Sequence, residues 1–435
     1  MELTLPGYVH DPFSAIYPMA AGSPYLSRLP LSDHGLEWVR SPAALAHPLD
    51  DGSAIVAHED LDETARHLGA EGGRYRQAVG PFAARWPELA RDILGPLGIP
   101  RHPLLMARFG LKALRSAASS WDDGDPGSRM NALLSGSAAH AGLPLESSGS
   151  AAFGLALHAA GHSVGWPFPR GGAGRLTAAM ASLFRSIGGT TETSAPVADL
   201  RDLPRTRLTL LDLTPAQILR VGRATLPAAY LTRLGRYRYG AGVFKMDWAL
   251  SGPVPWRAGE CGEAATVHLG GSAHEIGAAM RAPARGERSP RPFVIFAQPS
   301  RFDRSRAPEG GHTAWAYCHV PNGSTWDMSA AIEDQIERFA PGFRDLIRAK
   351  HILPPARLEA MNANLVGGDV NGGSPALRQL LFRPVVSFRP YETPSPGVFL
   401  CSASTPPGGG VHGMCGFHAA RRALASIGVP PAALS

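Results

Sequence analysis

Lysine is nearly absent from this 435-residue chain. Lys112, Lys245 and Lys350 stand among 42 basic residues, and the net excess of +6 is carried by scattered arginines. A basic excess with no stripe or cluster leaves no electrostatic footprint for a phosphate backbone, so nucleic acid is not an expected partner. Cysteine is scarce too. The four, at 261, 318, 401 and 415, form no C-x-x-C pair and no spacing with histidine that suggests zinc. They read as reduced thiols of a cytoplasmic protein, and no bound metal is expected. Long apolar runs are missing: Ala151 to Ala160 is about half of what a bilayer requires, which excludes a spanning segment there but leaves peripheral contact with a membrane open. Met1-Glu-Leu-Thr-Leu-Pro lacks the basic start and apolar run by which a secretion signal is read. No repeat or long low-complexity tract interrupts the chain.

What is present is an apolar content of 44%, enough for a large core in two intertwined domains. The most informative stretch runs from Val398 to Leu424 and reads as an apolar strand, a Gly-rich turn and an amphipathic helix. Glycines at 408, 409, 410 and 413 let backbone N–H groups approach a ligand, and the helix that follows points its positive end there. Something anionic is expected at this turn. Gly408, Gly410 and Gly413 satisfy G-x-G-x-x-G, yet the dinucleotide fingerprint needs a second strand and an acidic residue about 20 positions on. Ala425-Ser-Ile-Gly-Val-Pro-Pro does not supply them. A tight strand-to-helix turn without a ligand remains the alternative.

Thr405-Pro-Pro-Gly-Gly-Gly-Val-His-Gly413, with Pro394-Ser-Pro-Gly-Val-Phe-Leu-Cys-Ser-Ala-Ser404 before it, resembles the late flavin motif of the phytoene dehydrogenase-related FAD oxidoreductases. These include carotenoid desaturases and the pyridine nucleotide-disulfide oxidoreductase domain-containing protein 2 group, which it resembles most. The resemblance implies FAD contacts at Thr405, Gly408, Gly409, Gly410, Val411 and Gly413. A second segment, Trp166 to Thr190 and on through Thr191-Glu-Thr-Ser-Ala-Pro-Val-Ala-Asp-Leu200, resembles the family's P-x-G-G, helix and strand, which implies that the backbone of Val197 meets the adenine. Such proteins open with a strand, G-x-G-x-x-G, a helix and an acidic residue. Those roughly forty residues find no counterpart here. The expectation is an N-terminal βαβ unit missing from the chain, preferably because the natural start lies upstream of Met1, with activity of the truncated form open.

The resemblance implies a two-domain FAD/NAD(P)-binding fold, α/β in the flavin part and α+β in the substrate part, with an incomplete N-terminal Rossmann unit, a mixed antiparallel substrate sheet and a helical cap. Residues 1–58, 163–235 and 385–435 fall to the FAD-binding domain, 59–162 to the cap and 236–384 to the substrate-binding domain. Periodicity places strands over 4–11, 52–58, 206–214, 241–250, 265–270, 292–298 and 313–320, and helices over 330–339 and 414–424. Apolar faces recur at Leu61, Ala65 and Leu68; at Phe82, Trp86, Leu89 and Ile93; and at Leu104, Leu105, Phe109 and Leu114. After Gly171, Gly172 and Gly174 a helix carries apolar Leu176, Met180, Leu183 and Phe184 at helical spacing and ends at Gly188-Gly189.

The expected function follows from the cofactor: hydride equivalents pass between an apolar small molecule, carotenoid- or isoprenoid-like, and flavin, with no catalytic side chain assigned. The alternative is a non-catalytic lipid- or partner-binding protein of the same fold. A remote one is a serine hydrolase, because Gly161-His-Ser-Val-Gly165 matches G-x-S-x-G with His412 as a distant partner for Ser163. Its flanks argue against it: the preceding residues favour helix, and Pro167 and Pro169 prevent one from starting at the serine. His418, Tyr237, Tyr239, Lys245 and Asp247 could approach a substrate but are expected mostly to be structural, while Trp315 and Tyr317 share a strand face that suits a cavity wall or helix packing equally.

Overall fold

Alternation decides the central layer. In Gly242–Leu250, Phe244, Met246, Trp248 and Leu250 point one way and Val243, Lys245 and Asp247 the other. A computed structural model describes residues 1–122 and 124–429; the end of the expected 385–435 segment lies outside the described residues. Its strands are β1 (Trp38–Val39), β2 (Ala43–Pro48), β3 (Ala54–His58), β4 (Phe168–Pro169), β5 (Thr209–Leu211), β6 (Gly242–Leu250), β7 (Ala264–Leu269), β8 (Val294–Ala297), β9 (His312–Val320), β10 (Ile347–Leu353) and β11 (Val398–Leu400). Seven of them form one sheet in the order β10-β6-β9-β8-β7-β2-β3, antiparallel except where β2 runs parallel to β7. Strands β2 and β3, from the segment 1–58, thus extend the sheet built by residues 242–353. The near-continuous apolar character of both strands demands burial on two faces, and only a central layer offers that.

One face of the sheet is dry. Phe244, Met246, Trp248, Val294, Phe296, Ala314 and Ala316 pack against Ile332, Ile336 and Phe339 of the helix Ser329–Phe339. Each of the larger side chains contributes roughly 1.5–3 kcal/mol of burial. The opposite face carries Lys245, Thr266, Ile295, Trp315 and Tyr317, which line a cavity. Beyond it lie the helices Gly72–Ala83, Trp86–Ile93, Pro103–Ala113, Arg129–Ala138 and Ala151–Val164, joined in one core through Tyr75, Phe82, Trp86, Leu89, Phe109 and Leu155.

A second, smaller layer pairs β5 and β11 in parallel, with Leu211 and Leu400 packed on Ile218 and Val221 of the helix Pro215–Val221. The helix Met414–Ser426 follows β11 through the Gly-rich turn.

Four expectations need correction. Residues 4–11 are not a strand; Glu2 and Val9 form a single antiparallel bridge around Pro6-Gly7, where Gly7 has φ +80°, because Pro-Gly is turn chemistry. The strand over 206–214 contracts to Thr209–Leu211, since only those residues find a partner, in β11. No strand forms over 190–199, and Val197 is 41% exposed; a strand needs a ladder partner, and none of the described residues offers one. In the helix Pro103–Ala113, Leu105, Phe109 and Ala113 are buried whereas Leu104 and the following Leu114 are exposed.

Candidate functional site

The turn after β11 is held in a left-handed conformation along most of its length: φ is +109° at Gly408, +133° at Gly410 and +71° at Gly413. Val411, at φ +54°, is a β-branched residue in the same region and is strained there. A Cβ at Gly408 would lie 3.0 Å from the Arg383 guanidinium, and one at Gly409 would lie 3.1 Å from the Asn371 carbonyl. These glycines are therefore required by the packing of the turn itself. Buried Arg383 donates to the carbonyls of Ala403 (2.7 Å) and Ser374 (3.2 Å), Tyr391 donates to Pro406 O, and Ser23 Oγ donates to His412 O at 2.6 Å. Every one of these bonds fixes the backbone path.

On one side of the turn lies a cavity of about 600 Å³, walled by Gly408 to Gly413, by Cys415 and Gly416 of the helix Met414–Ser426, and by Asp212, Cys401 and Arg421. Asp212 and Cys401 directly follow β5 and β11, so the cavity sits at the carboxyl ends of a parallel pair, where open α/β sheets bind ligands. Burial raises the Asp212 carboxyl above its usual range. The helix starts at Gly413 with no side-chain cap, and a Cβ at Gly416 would meet nothing within 4 Å. Its first turn thus faces open space at Gly416, although its first amide, that of Met414, is taken by His412 Nδ1.

On the other side lies a larger, mainly apolar cavity of about 1230 Å³ between the sheet and the helical layer. Its walls include Lys245, Trp315 and Tyr317 from the sheet and Phe109, Ala156 and Leu157 from the helices. Lys245 and Asp247 form a buried ion pair at 2.6 Å, and the ammonium lies 5.3 Å from the Trp315 ring centroid. Burial pushes Lys245 down and Asp247 up, and each opposite charge counters the other's shift.

The two cavities share a wall: Gly409, Gly410, Val411 and His412 line both. His412 Nδ1 accepts from the Met414 amide at 3.0 Å, which leaves Nε2 carrying the proton in the neutral ring. Burial lowers the ring's pKa to about 4. Nε2 is buried and makes no well-formed hydrogen bond, with only the Gly408 and Gly409 backbone near the ring to counter the effect of burial, so a donor stands where both cavities meet.

Of the residues expected to touch a cofactor, Gly408, Gly409, Gly410, Val411 and Gly413 are brought together around the smaller cavity, whereas Thr405 turns its hydroxyl inward to Ser402 O at 2.7 Å and Val197 lines neither cavity. Ser163 falls in the last turn of the helix Ala151–Val164, not on a strand-to-helix elbow, because the Ala-rich sequence continues the helix through it. Three other candidates have structural partners: His418 Nε2 bonds Leu94 O, Tyr237 OH donates to Gly372 O, and Tyr239 OH accepts from the Ala216 amide. Sequence reading missed Asp212, Arg421 and the role of His412; a polar residue directly after an apolar strand was the available signal for Asp212. It also passed over His58, Glu63 and His67, whose ligand atoms lie within 4.8 Å of one another at the end of β3 and on the helix Leu61–His67. Only the i, i+4 spacing of Glu63 and His67 is visible in the sequence.

No family model matches the chain. Over 300 residues it is 28% identical to the pyridine nucleotide-disulfide oxidoreductase domain-containing protein 2 of Rattus norvegicus, a match covering 59% of this chain and 50% of the relative. The chain therefore spans about half the length of that relative. A shorter match, 33% identical over 129 residues, joins it to a 4,4'-diapolycopen-4-al dehydrogenase of Metabacillus indicus, covering 28% of this chain and 25% of the enzyme. Among solved structures it resembles an oxidoreductase from Methanosarcina mazei (TM-score 0.57, 14% identity, 94% of this chain and 88% of the other) and a putrescine oxidase redesigned at its cofactor site (TM-score 0.56, 14% identity, 95% and 87%). These likenesses show the fold: a two-domain FAD/NAD(P)-binding architecture of mixed α/β and α+β character.

Proposed function

We propose that the chain carries the substrate half and part of the cofactor site of a flavin-dependent oxidoreductase that exchanges hydride equivalents between FAD and an apolar small molecule of carotenoid or isoprenoid type. The observation that carries this reading is the shared turn. One cavity offers the helix start at Cys415 and Gly416, a carboxylate and Arg421, a set of groups that suits a nucleotide-bearing cofactor; its neighbour is large and apolar. His412 Nε2 supports the reading as a buried donor that makes no well-formed hydrogen bond within the protein. The relatives that the chain resembles support the redox class.

The residues fit part of such a cofactor. Gly409, Gly410 and the first turn of the helix Met414–Ser426 would hold it through backbone amides, Asp212 would accept from a hydroxyl, and Arg421 would face negative charge. When bound, FAD supplies the hydride acceptor. His412 Nε2–H would bind and orient at the junction, and its low pKa keeps it neutral at pH 7. Trp315, Tyr317, Phe109 and Leu157 exclude water from the substrate and orient an elongated apolar body by contact. The buried Lys245–Asp247 pair is a polar mark on that wall.

Among the described residues the outer edge of β5 carries no further strand. We read this edge as the docking place of a further nucleotide-binding strand that completes the site. The four cysteines are free and three of them buried, which fits a reducing, cytoplasmic setting. The experiment compares visible spectra of the purified chain with those of a chain extended by its upstream reading frame. Flavin absorbance in the extended chain supports the enzyme. Its absence from both, with FAD added, sinks it in favour of a non-catalytic lipid-binding protein.

A further inference from the structure

The helix Pro103–Ala113 is apolar on both faces. Leu105, Phe109 and Ala113 serve the core, yet Leu104 and Leu111, two turns apart on the outside, are 85% and 77% exposed, and Ile99 in the preceding loop is 97% exposed. Single exposed leucines are ordinary; a cluster with Leu97 and Leu114 beside it is a patch. The same segment has a one-sided charge. From Ile93 to Trp121 there is no Asp or Glu, while Arg101, Arg108, Lys112 and Arg115 are present.

A second stretch repeats the pattern. Residues 370–391 contain no acid, carry Arg378 and an Arg389 paired to the neighbouring Glu392 at 3.5 Å, and leave Phe388 and Val386 exposed. The two stretches meet: the Gly149 amide donates to Leu114 O, and a Cβ on Gly149 would lie 3.4 Å from Leu377. Leu97, Ile99 and Leu114 from the first stretch and Leu377 and Leu380 from the second also line the large cavity. The patch therefore reaches the wall of that cavity through the exposed Leu97, Ile99 and Leu114.

We propose that this face docks on an anionic lipid bilayer, so that the apolar cavity opens against hydrocarbon. Exposed aliphatic side chains flanked by cations, on a helix too short to span, are what an in-plane membrane contact requires. The arginines meet anionic headgroups while Ile99, Leu104 and Leu111 enter the acyl boundary. Charge selects this occupant over a second copy of the chain, because apposed copies would bring two positive faces together. The docking stands on the surface itself; only its role in loading a lipophilic substrate rests on the function proposed above.

The test is flotation of the purified chain with vesicles of phosphatidylcholine alone and of equimolar phosphatidylcholine and phosphatidylglycerol. Binding to the mixed vesicles is expected, weakened in raised salt. The bound fraction should fall about ten-fold in Ile99→Ser/Leu104→Ser/Leu111→Ser, and Arg101→Gln/Arg108→Gln/Arg115→Gln should lose the preference for anionic lipid. All six positions project outward, and circular dichroism verifies that both variants fold. No flotation, or flotation that neither variant changes, overturns the proposal. So does a dimer in size exclusion that the apolar variant splits while vesicles bind neither form. Flotation needs no flavin, so failure here is read separately from failure to bind FAD.

Discussion

Lys245 and Asp247, two positions apart on one face of β6, are bonded to each other inside the protein, with Nζ 2.6 Å from both carboxylate oxygens. Both are buried, Asp247 fully and Lys245 but for a small area on the cavity wall. Removing one partner leaves a lone buried charge: Asp247→Ala should cost about 3–5 kcal/mol, and the volume-matched double variant Lys245→Met/Asp247→Leu should cost less than the two single losses combined. Urea denaturation of the four proteins measures this cycle.

Buried histidines make the fold sensitive to acid. Burial lowers His140 and His158 to about 3 and His47, His319 and His412 to about 4, from a usual 6.5. Between pH 6.5 and about 4 the unfolded chain binds protons that the folded one refuses, so stability rises with pH across this window and is complete above it. Each histidine contributes up to about 1.4 kcal/mol per pH unit there. The urea midpoint should fall steeply from pH 7.5 to pH 5.5, and a chain carrying His158→Gln should show a shallower fall.

Gly416 separates fold from cofactor. It sits on a helix with open space where a Cβ would be, so Gly416→Ala should stabilise by about 0.5–1 kcal/mol. Gly416→Trp should keep the melting temperature within a few degrees but abolish FAD binding, read by fluorescence titration of the extended chain.

Val411 predicts the opposite of the usual cost of adding glycine. Its positive φ is strained and its side chain is 43% exposed, so Val411→Gly should raise stability by about 1 kcal/mol. A loss on denaturation would show that the side chain contributes packing worth more than the strain.

In the large cavity, Ala156→Trp narrows the wall opposite the sheet. Turnover of a long apolar substrate should drop about ten-fold or more, with the flavin spectrum unchanged. Steady-state rates on chain-length homologues measure it.

The elements most visible in the sequence were those with an uninterrupted period. Gly242–Leu250, Ala264–Leu269 and His312–Val320 alternate cleanly, and the helices Ser329–Phe339 and Met414–Ser426 each begin and end within two residues of expectation. Residues 190–199 failed because pairing is a property of the neighbour, and a strand pattern without one stays unpaired. Leu104 and Leu114 failed for a related reason: apolar spacing shows that a face exists, but not whether protein or something else covers it. The Gly-rich turn was legible from composition, whereas the poised His412 donor depends on a bond to Met414 that only the three-dimensional path reveals.

Because residues 409–412 form a partition with a compartment on either side, whatever shifts that partition alters both rooms. By thermodynamic reciprocity, a guest that fits the apolar room better when the nucleotide room is full must tighten the grip on the nucleotide by the same factor. Dissociation constants measured with and without the second guest should then close a square.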